Sequence, residues 1–193
     1  AYRCTMRFGI RTNTGDAEGE VLSKNSGFAL TQNEVESALA RFVGQIEQVP
    51  SMFSAIKHQG QPLYKLARAG VEIERAARPV TVYHLALTAF RPGEFPEADV
   101  EASGSKGTYI RTLAEDVGNL IGCGAHISSL HRSQAGPFNE SACVSLEQLE
   151  ARRGEGLADL LDQFLLPVEK AIDHLQAVTM PAASGFYFRQ GQP

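Results

Sequence analysis

Tyr2-Arg3-Cys4-Thr5-Met6-Arg7-Phe8-Gly9-Ile10-Arg11 alternates apolar and polar residues without a break. A period of two places Tyr2, Cys4, Met6, Phe8 and Ile10 on one side of an extended chain, and so predicts a strand with one buried face. The other face carries Arg3, Arg7 and Arg11 and is basic. Thr12 to Gly19 is a polar, glycine-punctuated loop, of the kind that positions functional groups, and a further element starts near Val21.

Outward from this strand, helical and extended patterns follow in turn. Thr31-Gln32-Asn33-Glu34 is a capping box ahead of Val35, Leu39, Phe42, Val43 and Ile46, which predicts a helix over 32–46. Val80–Phe90 and Ala98–Ala102 read as strands of a hairpin around the turn at Arg91-Pro92-Gly93. The pattern from Tyr109 predicts a helix closing near Gly122. Further helices are expected over 145–152, capped by Ser145, and over 156–164 and 167–174. From Gln176 the pattern reads as strand again. Strands and helices in this order make an α+β protein, with no internal repeat.

The chain has 193 residues, of which 43% are hydrophobic and 21% charged, a composition that excludes disordered and collagen-like classes. Its net charge of -4 gives no global positive field, so any nucleic-acid contact must come from a local patch. One segment qualifies. Between Pro50 and Arg78, Lys57, Lys65, Arg68, Arg75 and Arg78 face only Glu72 and Glu74, with Phe53 and Tyr64 interleaved. At this length it exceeds an ordinary connector.

Three cysteines, Cys4, Cys123 and Cys143, argue against a disulfide framework and for a reducing compartment. No stretch approaches the roughly 18 apolar residues that cross a bilayer, so a soluble, cytoplasmic protein is expected. The chain opens on Ala1 and closes on Gly191-Gln192-Pro193, and both ends read as cut.

Several constellations bear on chemistry. Ser105-Lys106-Gly107-Thr108 lies between a strand and a helix, where free N–H groups favour an anion. The order is not that of a Walker A loop, and Thr108 as an ordinary helix cap explains it as well. Cys123, His126, His131 and Cys143 depart from common zinc-ligand spacings. Arg111 lies one turn inside a helix beside Ile110, Leu113 and Val117, where it needs a carboxylate partner or a route to solvent. Asp16, in a polar loop, reads from the residues alone as a solvated turn aspartate.

Taken together, five collinear segments resemble the TruB family of tRNA pseudouridine-55 synthases. They are Tyr2-Arg3-Cys4, Gly9 to Gly19, Gln48 to Lys57, Ser105 to Thr112, and Gly122-Cys123-Gly124-Ala125-His126. The resemblance implies a pseudouridine synthase fold, α+β with a mixed, mostly antiparallel sheet, over 1–175. Within it 50–78 would be a thumb-like RNA-gripping insertion, and 176–193 would open a small PUA-type RNA-binding domain. It implies isomerisation of one uridine in the T-loop of tRNA, with neither metal nor organic cofactor and with no obligate protein partner. By the same resemblance, Tyr2 stacks on the flipped base and serves as general base at C5. Arg111 pairs with the catalytic aspartate, Asp16 joins that ionic network, and Leu130 borders the base. Lys57, Lys106 and Tyr109 are assigned to substrate binding.

One element of the family pattern is missing. The nucleophilic Asp lies in a His-x-Gly-x-Leu-Asp-Pro-like segment upstream of the strand that starts at Tyr2, and Leu161-Asp162 lacks its flanking Gly and Pro. The expectation is therefore that 1–193 alone is inactive, with one sheet edge open and Arg111 short of one partner. A non-catalytic tRNA-binding or RNA-folding module is the competing reading. A structural fragment without RNA affinity is a third.

Overall fold

The structure, a computed structural model, describes residues 1–153 and 162–191. They form two compact units, Ala1–Ser133 and Gln134–Pro193.

The first unit is built on a five-stranded sheet. Its strands are β1 (Tyr2–Phe8), β4 (Gly44–Gln48), β7 (Arg78–Arg91), β8 (Glu97–Gly104) and β9 (Ala125–Arg132), in the order β4-β7-β8-β1-β9. Every ladder in it is antiparallel, and the one parallel contact is an isolated bridge between Asp16 and Ile127. The alternation that predicted β1 is realised: Cys4, Met6 and Phe8 are buried and the residues between them are not. Gly9, at φ +85, ends the strand and turns Ile10 into the short hairpin of β2 (Ile10–Thr12) and β3 (Val21–Lys24). β7 and β8 make the expected hairpin.

Two helices cover the apolar face. Helix α1 (Gln32–Ala40) has the predicted capping box, the Glu34 N–H donating to Thr31 Oγ1 and the Thr31 N–H to Glu34 Oε2. It is shorter than the helix over 32–46. Arg41 caps the helix with helical dihedrals, the chain turns through Phe42 and Val43, Gly44 takes φ +104, and 44–48 becomes β4, an edge strand paired with Arg78–Val82. Phe42 and Ile46 still reach the core, but from a turn and a strand, so their helical spacing is coincidental. Helix α3 (Ile110–Ile121) begins and ends as predicted, with Gly122 left-handed at its close. It packs against β9 at Gly118, where a Cβ would lie 2.3 Å from the Ala125 nitrogen. Met6, Phe8, Val35, Leu39, Val82, Val100, Leu113 and Val117 fill the space between the helices and the sheet.

The opposite face of the sheet is polar but not simply basic. Arg91 Nη2 donates to Asp99 Oδ1 at 2.8 Å and to Glu97 Oε2 at 3.3 Å, and Thr5 Oγ1 donates to Asp99 at 2.7 Å. Arg7 approaches Glu97 and lies over the Phe95 ring. Carboxylates of β8 thus neutralise arginines of β1 and β7.

Residues 50–78 carry structure of their own. The strands β5 (Lys57–His58) and β6 (Gln61–Pro62) form a hairpin turned by Gln59 and Gly60, both at positive φ, and lead into the one-and-a-half-turn helix α2 (Leu63–Arg68). Leu63 is its buried anchor.

In the second unit Ser145 and Gln148 cap α4 (Leu146–Arg153) reciprocally, as the sequence predicts. The helix expected over 167–174 is a 3-10 turn, Val168–Ile172. Most of the helix expected over 156–164 lies outside the described residues. The strand pattern from Gln176 is a helix over Ala182–Arg189; among the described residues the apolar run Phe186-Tyr187-Phe188 has no neighbouring strand to pair with, and it lies within this helix.

Candidate active site

Arg111 is fixed by its place in the first turn of α3. Its guanidinium Nη1 donates to Asp16 Oδ2 at 2.8 Å and to the Thr14 carbonyl at 3.1 Å, and Nη2 donates to the Phe53 carbonyl at 2.8 Å. The two charged side chains retain 25% and 28% exposure, so the pair is sheltered without being dehydrated.

The loop that presents Asp16 is tightly braced. Thr14 Oγ1 donates to Asp16 Oδ1 at 2.6 Å, the Glu18 N–H donates to the same oxygen, and Thr12 Oγ1 donates to the Asp16 carbonyl. Ile127 of β9 donates its N–H to the Gly15 carbonyl, which ties the loop to the sheet. Gly15 needs its φ of +73, and a Cβ there would press on Glu115 and Arg111. The pairing of Arg111 with Asp16, left open by spacing alone, is thus made by geometry. A planar fork that meets a carboxylate and two carbonyls in three directions is a task for arginine rather than lysine.

Tyr2 stands at the start of β1, opposite Ala102 of β8 and Arg132 of β9. Leu130 is opposite Cys4, so Tyr2 and Leu130 are diagonal neighbours on one face of the sheet. Tyr2 is half-buried against the core and Leu130 is exposed, which leaves an apolar surface open at this end.

Tyr109 and Lys106 line one cleft with Gln48, Ile56, Arg78 and Val80. Lys57 lines the adjoining one, and Pro50, Ile56 and Arg78 are common to both. Among the described residues no ion pair engages Lys57, Lys106 or Arg78, so these cations remain available to an anion.

Three features were not foreseen. The first is the Phe53 carbonyl as a partner of Arg111, which no side-chain pattern can announce. The second is Gln48, only 2% exposed, whose Oε1 accepts the Tyr109 N–H at 3.0 Å and whose Nε2 donates to the Tyr109 carbonyl at 3.2 Å. A buried glutamine just ahead of Val49-Pro50 was the available signal. The third is an acidic pair on α3. Burial pushes the Asp116 carboxyl up to about 6, and burial followed by repulsion from Asp116 raises Glu115 against the pull of Arg11 and Arg111.

Nucleophilic thiol chemistry has no support. Burial, followed by the nearby Asp99 charge, pushes Cys4 up to about 12, and burial also raises Cys123. His126 is buried with Nδ1 against the Ile10 carbonyl at 3.0 Å. Among the described residues no three His, Cys, Asp or Glu side chains converge as a metal site.

The profile described as TruB family pseudouridylate synthase (N terminal domain) matches residues 1–110, more than half of the chain. The chain belongs to the TruB family. A second profile, the tRNA pseudouridylate synthase B C-terminal domain, matches residues 111–173 of this TruB chain. The chain is 49% identical over 191 residues to tRNA pseudouridine synthase B of Saccharophagus degradans, and 49% identical over 192 residues to that of Pseudomonas aeruginosa. These alignments cover 99% and 100% of the chain but 61% and 62% of the relatives, so the chain spans less than two thirds of their length.

Among solved structures, a chain of a Cbf5-Nop10-Gar1 complex superposes with a TM-score of 0.58 at 25% identity, covering 90% of this chain and 43% of that one. A chain of an H/ACA RNP bound to a substrate RNA containing 2'-deoxyuridine gives 0.54 at 22% identity, covering 90% and 41%. The pseudouridine synthase fold expected from the sequence is therefore the fold observed. Among the described residues no helix is long and apolar enough to cross a membrane.

Proposed function

We propose that residues 1–193 are the arginine-bearing, RNA-gripping part of a cytoplasmic tRNA pseudouridine synthase that isomerises uridine 55 in the T-loop. The observation that carries this reading is the Arg111–Asp16 pair, locked by the Thr14 and Phe53 carbonyls in a chain of the TruB family. In this reading the base is turned out of its stack, the C1′–N1 bond is broken, and the base is rejoined through C5. A carboxylate contributed from outside 1–193 is the nucleophile, and Arg111, held by Asp16, keeps it ionised and oriented.

The remaining residues take parts that fit their positions. Tyr2 stacks on the flipped base and removes the C5 proton, and Leu130 closes the apolar side beside it. Lys57, Lys106 and Tyr109 meet the RNA along the clefts shared with Arg78. Residues 50–78 act as the thumb over the T-loop, and 176–193 lead into a PUA-type RNA-binding domain.

The test compares full-length protein with residues 1–193 on a T-arm stem-loop. Full-length protein is expected to convert uridine 55 and to leave a stem-loop with cytidine at that position unmodified. The 1–193 chain is expected to bind, with a salt dependence set by a few phosphate contacts, and to make no pseudouridine. Turnover by 1–193 alone, or modification at a different uridine, would overturn the proposal. Arg111→Lys in the full-length protein should keep most of the binding and lower turnover by about a hundredfold, to a rate that single-turnover assays still read; equal loss of both would favour a binding module.

A further inference from the structure

We propose that Gln48 is a positioning residue that fixes Arg111 by clamping the backbone at the start of α3, and that couples Arg111 to the 50–78 segment. The inference rests on the reading of Arg111 given above. Tyr109 is the N-cap residue of α3 and makes no side-chain capping bond. Its carbonyl already accepts the first helical bond, from the Leu113 N–H at 3.0 Å. The Gln48 amide accepts the Tyr109 N–H and donates to the second lone pair of the Tyr109 carbonyl. A side chain from another strand thus does what a local cap does elsewhere, satisfying both polar groups of the residue two positions before Arg111.

Gln48 is the last residue of β4, and the chain passes from it directly into Val49, Pro50 and the 50–78 segment. Five residues on, the Phe53 carbonyl accepts from Arg111 Nη2. The root of the segment is therefore tied to α3 at two points, by the Gln48 amide to the backbone and by the Phe53 carbonyl to the guanidinium. Movement of this root on RNA binding shifts the helix start and the arginine together. Gln48 lies in the wall of the cleft that Tyr109 and Lys106 line, but at 2% exposure, with both ends of its amide engaged by the Tyr109 backbone, it offers substrate no free polar group, and its action on the reaction runs through the start of α3 and Arg111.

A double-mutant cycle in the full-length protein tests this. Gln48→Met keeps length and packing and removes both bonds. Expected is a fall of about tenfold in kcat, with RNA affinity within about threefold of wild type, and faster hydrogen exchange confined to 49–56 and 109–113. In an Arg111→Lys background the same substitution should cost less than about twofold further. Equal losses in both backgrounds, a change confined to KM, or unaltered exchange at 109–113 would overturn the proposal. If Gln48→Met does not fold, Gln48→Glu, which keeps the acceptor for the Tyr109 N–H and loses the bond to the Tyr109 carbonyl, replaces it in the cycle and is judged on kcat in the two Arg111 backgrounds and on exchange at 110–113. Wild-type protein that makes no pseudouridine would refute the functional reading, and the clamp would then be judged on exchange at 49–56 and 109–113.

Discussion

Replacing Arg111 by methionine removes the guanidinium and keeps most of the stem. Three hydrogen bonds from the charged guanidinium go with it: one to the Asp16 carboxylate, worth about 2 kcal/mol, and two to the neutral carbonyls of Thr14 and Phe53, worth about 1 kcal/mol each at this partial exposure. The guanidinium no longer has to be partly dehydrated, which returns about 1 kcal/mol, and the expected net loss is about 3 kcal/mol. Asp16→Asn keeps an oxygen for the Thr14 hydroxyl and the Glu18 N–H and should cost about 1 kcal/mol. Because each side chain keeps about a quarter of its exposure, the coupling between them lies between that of surface and buried pairs, about 1.5 kcal/mol. Urea unfolding of wild type, both single variants and the double variant, at constant m, measures it. A coupling below about 0.5 kcal/mol would mean that the carbonyls and not the carboxylate hold Arg111, and the reasoning about Asp16 would fail.

Gly118→Ala should destabilise by about 2 kcal/mol although alanine is the better helix former, because the added methyl meets the Ala125 backbone, which cannot give way; thermal or urea unfolding reads this directly, and a stabilised variant would show that α3 slides freely on β9. The Asp116 carboxyl titrates higher in the folded protein, about 6, than in the unfolded chain. The stability it contributes is therefore complete at acid pH and is lost as pH rises through about 6. Asp116→Asn should gain about 1 kcal/mol on wild type between pH 4 and pH 7, a figure reduced from the full shift because water partly reaches the group. A pH-independent difference between the two would refute it.

Much of this architecture was legible where a residue pattern has one physical solution. Alternation at 2–8, the capping boxes at Thr31 and Ser145, and the left-handed glycine after α3 each translated directly into structure. Legibility failed where one pattern has two solutions. Val35, Leu39, Phe42 and Ile46 satisfy a helical stripe, but they also satisfy a helix, a turn and an edge strand that feed the same core. Only the pairing of 44–48 with β7 decides between them. Phe186-Tyr187-Phe188 fits a strand by composition, but with no partner strand among the described residues it lies in a helix. At the site, residue type and position marked Arg111 as a charge in need of a partner, whereas Asp16 read as a solvated turn residue until the family resemblance drew it in. Its remaining parts, the Phe53 carbonyl and the Tyr109 backbone, are common to every amino acid and leave no mark in a sequence.

The two faces of the first unit also divide its electrical character. On the outer face of the sheet, Arg7 and Arg91 are matched by Glu97 and Asp99, and the arginines there cancel at short range. Lys57, Lys65, Lys106 and Arg78 have no such counter-charges among the described residues. The first unit therefore presents an uneven field, which draws a nearby polyanion toward the clefts that hold these cations more than toward the outer face of the sheet. Orientation is selected before contact, and raising the ionic strength should slow capture more than it hastens escape.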